Sequence, residues 1–162
     1  MRVLAVDPGY ERVGIAVIEK DSQHKEQLLY SDCFITSSKL PFPERLSLIG
    51  KELEHLIEKH TPTTFAIEKL YFNTNQKTGL LVSEARGMML YVAIKNNLST
   101  FEYTPLQIKS AVTGYGRGDK QQVITMVHQL ISIEKEIKYD DEYDAIAIGL
   151  TCIASEKSSG EL

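Results

Sequence analysis

MRVLAVDPGYERVGIAVIEK, residues 1–20, decides the architecture. Val3 to Val6 are apolar and end at Asp7-Pro8-Gly9, which reads as a strand entering a turn. Val13 to Ile18 reads as a second strand, and Gln27 to Ser37 as a third, more exposed one. Beyond it, Pro41 and Pro43 precede a helix whose apolar stripe is Leu46, Ile49, Leu53, Leu56 and Ile57, stopped by Thr61-Pro62. Thr64 to Glu68 (TFAIE) is a short strand with an acid at its far end. Leu80 to Lys95 predicts a second helix and Thr100 to Tyr103 a fifth strand. Helices are expected around Pro105 to Val112 and Lys120 to Ile133, then from Asp141 to about Ser155. Three strands in series followed by alternation predict an α/β fold: a mixed five-stranded sheet, three strands antiparallel and the rest a parallel half, flanked by helices.

The remaining composition is that of an ordinary globular chain. It has 162 residues and 18.2 kDa, 43% apolar and 25% charged, so one domain over residues 1–162 is expected. Cys33 and Cys152 stand alone in apolar stretches, which supports neither a disulfide framework nor a thiolate zinc site. The N-terminal apolar run meets Asp7 too soon for a signal-peptide core, and the longest apolar stretch, Leu80 to Ile94, is broken by Ser83, Glu84 and Arg86. No membrane partner and a cytoplasmic location are the expectation. That same stretch is apolar nearly all the way round, whereas a surface helix needs one stripe. It is expected to be buried on two sides, within the chain or at a subunit interface.

Net charge is −4, yet it is unevenly spread. From Gln76 to His128 six cations (Lys77, Arg86, Lys95, Lys109, Arg117, Lys120) face three acids (Glu84, Glu102, Asp119). A basic middle between acidic flanks fits a polyanion surface beside a carboxylate cluster; it also fits chance segregation.

The acids carry the chemistry. An ionised carboxylate at the edge of a buried sheet is costly unless paired or bound to a metal. Asp7 alone also fits a plain turn opener, but Glu68, after Phe65-Ala66-Ile67, has no turn role. In DDEYDAIAIGL (140–150), Asp141 and Asp144 lie at i and i+3 on one helix face. Acids at a helix start also serve the macrodipole. That accounts for Asp140 and Glu142 better than for Asp144, which begins the apolar run. Asp7, Glu68, Asp141 and Asp144 together form an all-oxygen set suited to Mg²⁺ or Mn²⁺. Two such ions can activate water and hold the leaving oxygen in displacement at phosphorus. No nucleophilic triad or phosphate loop of the G-x-x-x-x-G-K-[ST] form competes.

At this point the sequence resembles the RuvC family of Holliday-junction resolvases. VDPGYERVGIAV (6–17), FAIEKLYF (65–72), EARG (84–87), FEYTPLQIKSAVTGYGRGDKQQV (101–123) and DDEYDAIAIGL carry the likeness. The resemblance implies an RNase H-like fold and a homodimer that cuts opposing strands of four-way branched DNA with Mg²⁺, two ions per site, Mn²⁺ able to substitute. It implies 5′-phosphate and 3′-hydroxyl ends and a branch-migration helicase as partner. Its four metal-binding acids correspond to Asp7, Glu68, Asp141 and Asp144. Its basic positions match Lys109 and Lys120, Lys120 acting also in catalysis. Tyr71 and Phe72 stand where relatives carry an aromatic that an unstacked base can lie on. Arg117, in the glycine-spaced loop, is a further candidate for DNA binding; Lys77 and Arg86 are weaker ones.

Three other readings stand beside a DNA resolvase. One is an RNase H-like nuclease acting on structured RNA, of the ribosomal-RNA maturation type, separable by offering both substrates. Another is an actin-like or sugar-kinase-like ATPase, suggested by DPGYERVGIAV, although 162 residues lack the duplicated domain that encloses ATP. A junction-binding scaffold with a decayed site is the last; metal-dependent turnover would exclude it.

Overall fold

A computed structural model describes residues 1–23, 25–70, 76–116 and 118–156, residues 76 and 77 by their backbone. Five strands make one sheet: β1 (Arg2–Asp7), β2 (Arg12–Lys20), β3 (Glu26–Ile35), β4 (Thr64–Glu68) and β5 (Ser99–Tyr103). Their spatial order is β3-β2-β1-β4-β5. β2 pairs antiparallel with β1 and with β3, whereas β4 lies parallel to β1 and β5 parallel to β4. This is the mixed sheet the sequence predicted, and the junction between its two halves runs between β1 and β4. Among the described residues five helices follow the expected order: α1 (Phe42–His60), α2 (Gln76–Lys95), α3 (Pro105–Thr113), α4 (Lys120–Leu130) and α5 (Asp140–Ser155).

The period-two alternation of strand side chains sorts the core into two layers. Leu4, Val6, Val13, Ile15, Val17, Phe65 and Ile67 pack with Ile49, Leu53 and Leu56 of α1 and Ala85, Met89, Val92 and Ala93 of α2. Val3, Ala5, Ala16, Ile18 and Ala66 face the other way, against Ala145 to Ile148 of α5, Ile108 and Val112 of α3, and Val123 and Val127 of α4. Three of the five strand side chains named in the second layer are alanines (Ala5, Ala16, Ala66), which lets α5 lie close to the sheet. At Gly149 an added Cβ would come within 2.8 Å of Ile18 Cδ1 and 3.2 Å of Ala5 Cβ. Ala66 and Glu68 share one parity, as do Ala5 and Asp7, so both strand-end acids belong to the face that α5 covers.

Three details differ from expectation. α2 begins at Gln76, a turn before Leu80. α4 ends at Leu130 rather than Ile133, because Ile131 turns extended (φ −141°, ψ 142°) and is itself buried in the core. The nearly all-apolar α2 buries only one side within the chain: Leu80, Tyr91 and Ile94 remain 59%, 65% and 62% exposed. No helix among the described residues is long and apolar enough to cross a membrane. Cys33 and Cys152 are buried free thiols.

Candidate active site

Asp7 and Glu68 end adjacent parallel strands. Val6 stands opposite Ile67 in the register, so the next residue of each strand carries its acid to the same sheet end and the same face. Helix α5 starts over that point. Its approach depends on Gly14, which pairs with Asp7: a Cβ there would overlap the Asp141 carbonyl oxygen and stand 3.2 Å from Asp7 Cβ. α5 therefore delivers Asp141 and Asp144 directly onto the end of β1.

A cavity of about 220 Å³ opens there, lined by Asp7, Glu68, Asp144, Lys109, Lys120, Pro105, Ile108, Val123 and Ala147. Lys109 comes from α3, which opens with a Thr104–Gln107 capping box and Pro105 in its first turn. Lys120 is the first residue of α4, directly after the N-cap Asp119, whose side chain accepts from the Gln122 amide. Lys120 Nζ lies 3.1 Å from Asp144 Oδ2 and 3.2 Å from Asp140 Oδ2. Burial opposes its charge, but Asp144 and Asp140 outweigh burial and hold its pKa above the usual lysine value.

Asp141 is turned elsewhere. Arg12 Nε stands 3.2 Å from its Oδ2, and the guanidinium carbon lies 5.6 Å over the ring of Tyr139. Three of the four sequence-selected acids thus share the cavity while the fourth is held at its border. In this arrangement no three acids, histidines or cysteines among the described residues crowd one point closely enough to ligate an ion.

Burial drives the Asp7 carboxyl well above the ordinary range, and Asp144, Glu68 and Asp141 push it further in that order, with Lys120 opposing. Glu68 is pushed up to about 7 by burial and then Asp144, against Lys109. Asp144 is raised by burial, with Lys120 opposing. Carboxylates that lift each other's pKa in a buried place form an excess of negative charge that a cation relieves. Oxygen donors of this kind fit a hard divalent metal.

A family model described as "Crossover junction endodeoxyribonuclease RuvC" matches residues 3–152. The chain belongs to the RuvC family. Relatives named crossover junction endodeoxyribonuclease RuvC include that of Finegoldia magna, 43% identical over 97% of this chain and 95% of the relative. That of Alkaliphilus oremlandii is 43% identical over 93% and 91%. Thermus thermophilus RuvC in complex with a Holliday junction superposes with a TM-score of 0.86 at 28% identity, covering 93% of this chain and 92% of that one. The yeast mitochondrial resolvase Ydc2 shares the fold, with a TM-score of 0.69 at 16% identity. The architecture is RNase H-like.

Within this RuvC-family site, several side chains do what sequence reading did not foresee. Arg86 donates from Nε to the Glu68 carbonyl oxygen at 2.9 Å and from Nη2 to Glu102. It ties α2, β4 and β5 together behind Glu68 instead of offering a free cation. Lys95 likewise pairs with Glu54 at 2.9 Å, so part of the basic middle is neutralised internally. Glu142 is not a solvated helix-start acid: its side chain is 5% exposed and Lys135 Nζ lies 2.6 Å from it. Arg45 is buried, donates from Nε to Thr36 Oγ1 at 2.8 Å and lies 4.8 Å over the Tyr10 ring, fixing the turn after Asp7. Arg12, the first residue of β2, carried a signal, a cation opening a strand beside the acids, that motif reading passed over. Tyr71, Phe72, Arg117 and the Lys77 side chain lie outside the described residues.

Proposed function

We propose that this protein is a divalent-metal-dependent endonuclease that resolves four-way DNA junctions. The observation that carries the reading is the cavity in which acids from β1, β4 and α5 meet two lysines, in a chain matched along nearly its whole length by a resolvase family. Asp7, Glu68, Asp141 and Asp144 would hold the metal. Mg²⁺ is the ion proposed, two per site, with Mn²⁺ able to substitute. Such ions supply an activated water and charge stabilisation at phosphorus when bound.

The protein's own groups divide the remaining work. Asp7 lies deepest and closes the acidic side of the cavity. Lys120 and Lys109 offer positive charge to the phosphate that enters and to the oxygen that leaves, giving 5′-phosphate and 3′-hydroxyl ends. Lys120 is held between Asp140 and Asp144, so it is oriented before substrate arrives. Ile108, Val123 and Ala147 form an apolar wall that limits water and strengthens the electrostatics. Tyr71 and Phe72 remain our candidates for stacking on an unpaired base, and Arg117 for a backbone phosphate. The RNA reading finds no support among the relatives. A synthetic immobile junction should be nicked with Mg²⁺ and left intact with EDTA, whereas structured RNA should survive both. Metal-independent cutting, or none on the junction, would remove the reading.

We extend it to a homodimer. Leu80, Tyr91 and Ile94 are apolar side chains on the exposed face of α2, and a two-fold copy would cover them while matching the two-fold of the junction. Light scattering should give two chains per particle for the wild type and one for the Tyr91→Glu, Ile94→Glu double variant; a monomeric wild type at micromolar concentration would refute the pairing. A branch-migration helicase as partner and a cytoplasmic location belong to the same proposal.

A further inference from the structure

Asp141 is the one acid of the group whose side chain does not line the cavity. Its backbone sits tight on β2, its carbonyl oxygen where a Cβ of residue 14 would stand. What remains free is rotation of the carboxylate, and Arg12 biases that rotation outward. Arg12 Nε stands 3.2 Å from Asp141 Oδ2, with the Arg12 side chain 53% and that of Asp141 21% exposed. An ion pair at a half-exposed position is reversible. It is kept in place by the Tyr139 ring under the guanidinium.

We infer that Arg12, seated on Tyr139, is a latch on Asp141: it holds this carboxylate out of the cavity and so sets how readily a divalent cation is taken up. Arg12 is thereby a positioning residue, acting through Asp141. A cation entering the cavity must compete with the guanidinium for the fourth carboxylate. The inference rests on the reading of the acidic group as a cation site, and its test separates the two.

Mn²⁺ binding to the full-length protein without DNA, read as loss of the free-ion resonance signal, measures the latch directly. Arg12→Ala should tighten Mn²⁺ binding about fivefold, the scale of a half-exposed ion pair. Arg12→Lys, which keeps the charge without the fork, should fall between Arg12→Ala and wild type. Tyr139→Leu changes no charge and removes only the seat, so tightening by about twofold there distinguishes a latch from a shift in net charge. Thermal melts confirm that each variant is folded. Unchanged affinity in Arg12→Ala, or tightening in Arg12→Ala with none in Tyr139→Leu, overturns the latch while wild-type junction cleavage leaves the nuclease reading standing. Wild-type protein that neither binds Mn²⁺ nor cuts a junction overturns both.

Discussion

Glu68→Gln is expected to lower junction cleavage in Mg²⁺ by about a thousandfold or more, roughly 4 kcal/mol of transition-state stabilisation, while junction binding persists. The side chain keeps its shape and loses its charge. Its backbone does not depend on that charge, because Arg86 holds the Glu68 carbonyl from behind and the strand register fixes the rest. Removing a negative charge from a cavity that must accept a phosphate should hold or improve affinity. Gel-shift titration in EDTA measures binding, and single-turnover nicking in Mg²⁺ measures chemistry. A variant that nicks at wild-type rate would take Glu68 out of the mechanism.

The second large effect concerns stability and has a pH sign. Burial and then Asp144 push the Glu68 carboxyl up to about 7 in the fold, above its ordinary 4.5. A carboxyl raised on folding contributes stability that is present below its unfolded pKa and lost as pH rises through the folded one. The metal-free protein should therefore lose stability between about pH 4.5 and 7, and Asp7 and Asp144, raised by burial as well, act in the same direction. The Glu68 shift corresponds to about 3 kcal/mol, and partial exposure and coupling reduce it to about 2. At roughly 2–4 °C per kcal/mol, this is a fall of several degrees in Tm from pH 5 to pH 8 in EDTA. Asp7→Asn, which removes the most buried of these charges, should remove the Asp7 share of that fall, leave the Glu68 share set by burial and Asp144, and leave the pH 5 melt nearly unchanged. Added Mg²⁺ should raise the wild-type Tm at pH 8 more than at pH 5. An Asp7→Asn melt that tracks wild type at pH 8 would show that ionising the buried Asp7 costs the fold nothing.

The sheet was legible because its signals are local. Apolar runs ending in DPG and TFAIE mark strands whose last residues are acids, and alternation determines which face those acids take. The end of α4 was not, since nothing in LISI distinguishes a helical from an extended Ile131; only the buried place it fills decides. At the site, the meeting of Asp7, Glu68 and Asp144 around one cavity follows from strand ends and helix spacing. The outward turn of Asp141 does not, because i and i+3 spacing places Cβ atoms and says nothing about the cation each carboxylate meets. Glu142 misled for the same reason. A helix-start acid is cheaply explained by the macrodipole, and only its distant partner Lys135 shows it to be a buried anchor. Arg86 reads as a basic residue in sequence, but its guanidinium fastens Glu68 and Glu102.

Position 14 ties these threads together. With hydrogen in place of a side chain, the hairpin lets the carbonyl of Asp141 settle against β2 and keeps that acid beside Asp7. Any larger residue would be a wedge under the first turn of α5, prying two like charges apart before either was altered. The tension among the acids, and so their appetite for a counter-ion, is written into the smallest residue in the neighbourhood.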